Sequence, residues 1–151
     1  MIFTTSLAYA LAQKDLPGRI PLTFLVFFTM IFNGGLIPHF LLVDFLNIRN
    51  TIFALFVPTL ISGWYLLIMR NFFMKIPRDL IDAAIIDGAS PFRILANVAL
   101  PLSMPVIATI SLFYAVYHWN EWFYASIYIS ENDMKPMQII LRGLLNQATM
   151  Q

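Results

Sequence analysis

Three stretches of this chain contain no charged side chain: Ile20 to Val43, Asn50 to Met69 and Ile94 to Asn120. Each reaches the roughly 20 residues that an α-helix needs to cross the hydrocarbon core of a bilayer. Three such runs argue against a very hydrophobic soluble core. Composition points the same way: 60% of residues are apolar, 11% are charged, and mean hydropathy is +0.76. Soluble domains carry about a quarter charged residues. The expectation is an all-α, polytopic transmembrane helical bundle.

A net charge of +1 gives no electrostatic reason to expect a nucleic acid or another polyanion as partner. With no cysteine, neither a disulfide framework nor a thiolate metal site is available. Ala8-Tyr9-Ala10 resembles a signal-peptide cleavage site, but no Lys or Arg precedes Lys14, so the basic segment such a signal requires is missing. Met1 to Gln13 is apolar yet too short to span. It reads as the tail of a transmembrane helix.

Lys14 to Arg19 is a polar turn with a Pro17-Gly18 breaker. The first span begins at Ile20 and runs to Phe32, with Asn33-Gly34-Gly35 and Pro38 disturbing the backbone beyond it. Leu36 to Asn47 reads as a short surface helix with Asp44 facing water. The second span is expected from about Ile52 to Met69, with Pro58 and Gly63 marking a kink or a close helix contact. The third is expected from about Ala99 to Tyr117, and a mixed tail follows from His118 to Gln151. Lys14, Arg19, Arg70, Lys75, Arg78 and Arg93 fall on one side of this arrangement, against Arg49, Lys135 and Arg142 on the other. The excess of basic residues places the 70–93 segment in the cytoplasm.

That segment is an amphipathic island between apolar runs. Pro77 suits the first turn of a helix, where its missing N–H costs nothing. Leu80, Ile81, Ala84 and Ile85 share one helical face, with Asp79 and Asp82 toward the other. Gly88 supplies the left-handed residue that ends a helix, and Ser90-Pro91 restarts one as N-cap and first-turn proline. On spacing alone two readings stand: a helix resting on lipid headgroups, or an element that docks a soluble protein.

Asp82-Ala83-Ala84, followed by Asp87-Gly88-Ala89 and then Leu100-Pro101, resembles the EAA motif of ABC-importer permeases, with Asp82 where Glu is usual. The resemblance implies a type I permease fold, here incomplete: a partial helix and three spans in one transmembrane domain over residues 1–151, with a cytoplasmic coupling loop at 70–93. It assigns Asp82, Ala83, Ala84, Asp87, Gly88, Ala89, Leu100 and Pro101 to coupling with a cytoplasmic ATPase dimer. It further implies a second homologous permease subunit, an extracytoplasmic solute-binding protein and a multi-pass location in the bacterial cytoplasmic membrane. No cofactor is implied, and ATP hydrolysis falls to the partner. Asn33 to Pro38, Met69 to Phe73 and Tyr117 to Phe123 look like the sugar-importing branch, with the nearest likeness to permeases for oligosaccharides and polysaccharide fragments.

Trp119, Asn120 and Glu121 are the candidates for the sugar path, as an aromatic face beside hydroxyl-bonding groups. The same residues also fit the aromatic belt at a membrane interface. An enzyme reading has little to rest on. The two histidines, His39 and His118, lack metal-ligand spacing, and no nucleophile elbow or phosphate-binding glycine loop is present. Because relatives of this kind have about six spans, the chain reads as a fragment of a permease. The alternative is a non-transporting remnant or membrane interaction module that still displays the docking loop.

Overall fold

The computed structural model describes residues 1–129 and 137–149, and among these every regular element is a helix. They are α1 (Ile2–Ala12), α2 (Arg19–Ile31), α3 (Leu36–Phe45), α4 (Phe53–Phe56), α5 (Gly63–Phe73), α6 (Arg78–Ile86), α7 (Pro91–Ile94), a π-helical turn (Leu95–Ala99), α8 (Leu100–Leu102), α9 (Met104–Asn120), α10 (Trp122–Tyr128) and α11 (Met137–Thr149). Lys135 lies outside the described residues, as does the side chain of Arg142.

Among the described residues no single helix is long and apolar enough to cross a membrane. Two bent pairs pass that test together: α2 with α3, and Pro91–Leu102 with α9. The expected second span is broken. α4 stops at Phe56, and α5 starts only at Gly63. Pro58 explains the stop, because its ring excludes the carbonyl of Ala54 and it donates no N–H. The expected third span is interrupted at Ser103, after which α9 restarts with Pro105 in its first turn.

The contacts divide the chain into two compact units. One comprises Met1–Phe32 and Ile61–Leu112; the other comprises Asn33–Leu60 and Phe113–Gln151. In the first unit α1 packs on α5. Thr4, Ala8, Tyr9 and Leu11 are buried against Leu66, Met69 and Phe73, and the Tyr9 and Phe73 rings meet edge to face at 5.5 Å. The carbonyl of Leu11 in the last turn of α1 accepts from Nε of both Arg19 and Arg70, each at 3.1 Å. These cations satisfy the electronegative end of the helix. By contrast, α2 buries no residue and leaves Phe24, Leu25, Ile31 and Phe32 exposed.

The second unit centres on Val43, Ala54, Tyr128 and Ile129, with Phe40, Ile48, Leu55, Tyr124 and Ile127 packed around them. The backbone N–H of Asn50 donates to the Tyr128 carbonyl at 3.1 Å, tying the end of α10 to the turn before α4. Arg49 folds back on α3, 3.6 Å from Asp44 and 5.2 Å from the centre of the Phe40 ring.

Candidate functional site

The 78–94 segment forms the helix–turn–helix expected of it. Pro77 stands as the N-cap of α6 (φ −56°, ψ 130°), one residue before the helix rather than inside its first turn. At the other end Gly88 is left-handed (φ +76°). Its N–H donates to Ile85 at 2.9 Å, and the N–H of Ala89 donates to Ala84 at 2.9 Å. This crossed pair is a Schellman motif, which satisfies carbonyls that a helix end otherwise leaves to water. Two residues on, the Ser90 hydroxyl accepts from the Arg93 N–H at 3.4 Å and Pro91 opens α7. Both helix ends at the turn are therefore closed by the segment's own residues.

Asp82, Ala83, Asp87 and Gly88 are exposed, while Ala84 and Ala89 are half-buried. Ile81 turns inward toward a hollow shared with Ala12, Phe73 and Ile76. Ile86 and Phe92, 86% and 82% exposed, project on either side of the Gly88 turn. Two large apolar side chains are thus presented beside two carboxylates on a backbone that is already ordered. Further along, the π-helical turn ends at Leu100, whose N–H donates to the Leu95 carbonyl. Pro101 accounts for the widening, since a proline there can neither bond nor tolerate the Asn97 carbonyl in a regular α-turn.

A second polar site lies wholly within the second unit. A cavity of about 170 Å³ is lined by Asn33, His39, Ala54, Leu55, Pro58, Thr59, Tyr117, Glu121, Tyr124 and Tyr128. At roughly 30 Å³ per water it holds several waters, and it falls below the several hundred Å³ of a drug-sized site, a size suited to one small polar ring. The His39 and Tyr124 rings lie 6.3 Å apart, and Tyr124 stacks on Tyr128 at 5.8 Å. The Tyr128 hydroxyl is buried and has no hydrogen-bond partner among the described residues. Burial, reinforced by Tyr124 and by the Glu121 carboxylate, pushes its pKa above the ordinary phenol value. It stays a neutral donor, and with no protein acceptor among the described residues it is left to the water of the cavity or to a ligand oxygen.

Of the three residues expected on the sugar path, Glu121 lines this cavity. Trp119 and Asn120 are exposed and outside it, and the Asn120 amide donates back to the Val116 carbonyl at 3.0 Å. Tyr117, Glu121, Tyr124 and Tyr128 follow one another at i, i+4, i+7 and i+11, a helical spacing visible in the sequence, although the helix breaks at Glu121 between α9 and α10. Asn33, His39 and Thr59 reach the same cavity only through folding. Thr59 bonds back to the carbonyls of Leu55 and Phe56 at 3.3 and 3.5 Å rather than across to another helix.

A chain whose described elements are all helical, with long apolar runs, outward-facing aliphatic and aromatic side chains and a pre-ordered charged turn, is built as a membrane component. The chain belongs to the family of binding-protein-dependent transport system inner membrane components, whose pattern matches residues 5–150. It is 46% identical over 145 residues to the polygalacturonan/rhamnogalacturonan transport system permease protein YtcP of Bacillus subtilis (strain 168), a match covering 96% of this chain and 51% of that protein. It is 45% identical to protein LplC of the same organism, over 94% of this chain and 48% of the relative. A crystal structure of a bacterial ABC transporter involved in the import of the acidic polysaccharide alginate includes a chain with the same fold. That chain is 34% identical, with a TM-score of 0.91, covering 94% of this chain and 51% of its own length. The chain therefore spans about half the length of the curated relatives it matches.

Proposed function

We propose that the chain forms part of the membrane-spanning subunit of an ATP-driven saccharide importer, with the Gly88 turn as the element through which a cytoplasmic ATPase dimer drives it. The carrying observation is the turn itself. Its backbone carbonyls are closed by the Gly88 and Ala89 N–H groups, while Ile86 and Phe92 stand exposed beside Asp82 and Asp87. A rigid element with an apolar tip and an acidic flank fits an apolar groove rimmed by basic groups. A partner gripping it can transmit a change of state because the turn does not yield. Ala83 and Ala84 keep the helix surface low for close approach. Leu100 and Pro101, at the end of the π-helical turn, link the docking element to α9.

The likeness to a polygalacturonan/rhamnogalacturonan transport permease and to a chain of an alginate importer favours saccharides as cargo. In this reading the cavity of the second unit contributes to the sugar path. Tyr117, Tyr124 and Tyr128 offer ring faces and hydroxyls, and Glu121, His39 and Asn33 bond sugar hydroxyls. Trp119 and Asn120 belong to the outer rim of that path. A second homologous permease subunit and an extracytoplasmic solute-binding protein complete the importer, which lies multi-pass in the bacterial cytoplasmic membrane.

The test is co-purification. In the full-length permease, Asp82→Lys combined with Ile86→Glu should abolish retention of the ATPase while leaving the permease in the membrane fraction. Unchanged retention would remove the turn from the coupling role.

A further inference from the structure

The first unit carries a second concave surface, unrelated to sugar or to the Gly88 turn. An open groove of about 540 Å³ runs between α2 and α5, lined by Arg19, Ile20, Thr23, Phe24, Phe27, Leu67 and Arg70. We infer that this groove binds an anionic phospholipid, its phosphate on Arg19 and Arg70 and the start of an acyl chain along Ile20, Phe24 and Phe27.

Polarity within the groove is segregated. Both guanidinium groups reach the Leu11 carbonyl through Nε at 3.1 Å, so the two Nε atoms lie within about 6 Å of each other. No carboxylate pairs with either among the described residues; the ion pair Arg49–Asp44 belongs to the other unit. Arg19 spends one further donor on the Met74 sulfur at 3.4 Å. The remaining guanidinium N–H groups are available to an anion, and a guanidinium fork matches phosphate oxygens in pairs. Two unneutralised cations held this close repel each other, and a bound phosphate removes that repulsion.

Away from the arginines the wall is apolar. Ile20, Thr23, Phe24 and Phe27 recur along one face of α2, and Ile20 and Phe24 are 82% and 67% exposed. From Arg19 to Phe27 the helix rises about 12 Å, room for the first part of an acyl chain. The helices are antiparallel here: Arg19 and Arg70 share one end, and Gly63 packs on Met30 toward the other. Lys14 lines an adjoining hollow that shares Arg19 and Ile20, adding a third cation at the headgroup end, with the exposed Asp15 as the nearest acidic neighbour in sequence. A free phosphate would use only the arginine end. A lipid uses the whole groove, and basic groups at the cytoplasmic end of membrane helices face the anionic leaflet.

The experiment reads the lipid retained by the full-length permease, purified with its partners from vesicles of phosphatidylcholine and phosphatidylglycerol in equal amounts. Native mass spectrometry should show phosphatidylglycerol retained about tenfold or more over phosphatidylcholine. Thr23→Glu places a carboxylate in the groove one helical turn from Arg19 without removing either arginine, and should abolish the preference. Arg70→Gln should reduce it; if that variant is lost to misfolding, Thr23→Glu alone decides. Equal retention of the two lipids by the parent protein, or an unaltered preference in Thr23→Glu, would overturn the inference. So would complete displacement of the lipid by millimolar inorganic phosphate, which would show an anion site without an acyl-chain component.

Discussion

Gly63 packs so closely on Met30 that a methyl carbon on Gly63 would stand 2.8 Å from Cγ of Met30 and 3.4 Å from the Val26 carbonyl oxygen. The absent side chain lets α2 and α5 approach, in the manner of small residues at helix interfaces in membranes. The crowding falls on the middle of the Met30 side chain rather than its end, so even one methyl group makes Met30 or its helix shift, while the Val26 carbonyl stays at ordinary contact. Gly63→Ala should therefore cost about 1 kcal/mol in detergent-solubilised protein, and Gly63→Val up to about 3 kcal/mol, by overpacking. Thermal unfolding monitored by circular dichroism checks this. A valine variant as stable as the parent would mean the two helices can part without loss.

At Gly88 nothing crowds the position, yet the backbone is left-handed at φ +76°. A β-branched side chain there costs about 1–2 kcal/mol for conformation alone. On the proposed coupling role, Gly88→Val in the full-length permease should open the Schellman turn and uncouple transport from ATP hydrolysis while the permease still inserts. Gly88→Asn, which tolerates the left-handed region, should stay near parental coupling. The ratio of saccharide transported to ATP hydrolysed in proteoliposomes distinguishes them. Equal ratios in the two variants would show that the turn's conformation is irrelevant to coupling.

Tyr128 carries a buried hydroxyl with no partner among the described residues. Tyr128→Phe removes a donor that no protein group accepts from among the described residues, and should leave the ligand-free protein within about 1 kcal/mol of the parent, because cavity water serves the hydroxyl there. On the proposed sugar path, saccharide stimulation of the assembled full-length transporter should fall in the same variant, because the donor proposed to meet the cargo is gone. A larger loss of stability without cargo would show instead that the hydroxyl is bonded within the protein.

The Arg49 side chain serves two contacts, the 3.6 Å ion pair to Asp44 and the face of Phe40. The ion pair is about half exposed, so Asp44→Asn should cost less than about 1 kcal/mol. Arg49→Ala loses the stacking and the covering of Phe40 as well, and should cost more than Asp44→Asn by about 0.5–1 kcal/mol. Equal losses in the two variants would reduce Arg49 to its charge. Raising the salt concentration should shrink the asparagine effect and leave most of the alanine effect.

Much of this was legible in the residues themselves wherever neighbours a few positions apart decide the outcome. Pro77, Gly88 and Ser90-Pro91 set the helix–turn–helix, since capping and left-handed turns are local hydrogen-bond problems with local solutions. The charge-free runs set the all-helical class for the same reason: composition alone decides which solvent a segment tolerates. Where those runs break was less legible. Pro58 and Gly63 mark the break and the close contact of the second run in the sequence itself, but the π-helical turn ahead of Pro101 and the break at Ser103 divide the third run where hydropathy reads straight through. Only the tertiary structure brought Asn33, His39 and Thr59 to the stripe of Tyr117, Glu121, Tyr124 and Tyr128, and left Trp119 and Asn120 outside that cavity. Only it brought Arg19 and Arg70 to one carbonyl at Leu11. Such meetings join residues tens of positions apart, and they depend on which helix faces pack together, a choice that the local spacing of side chains does not encode.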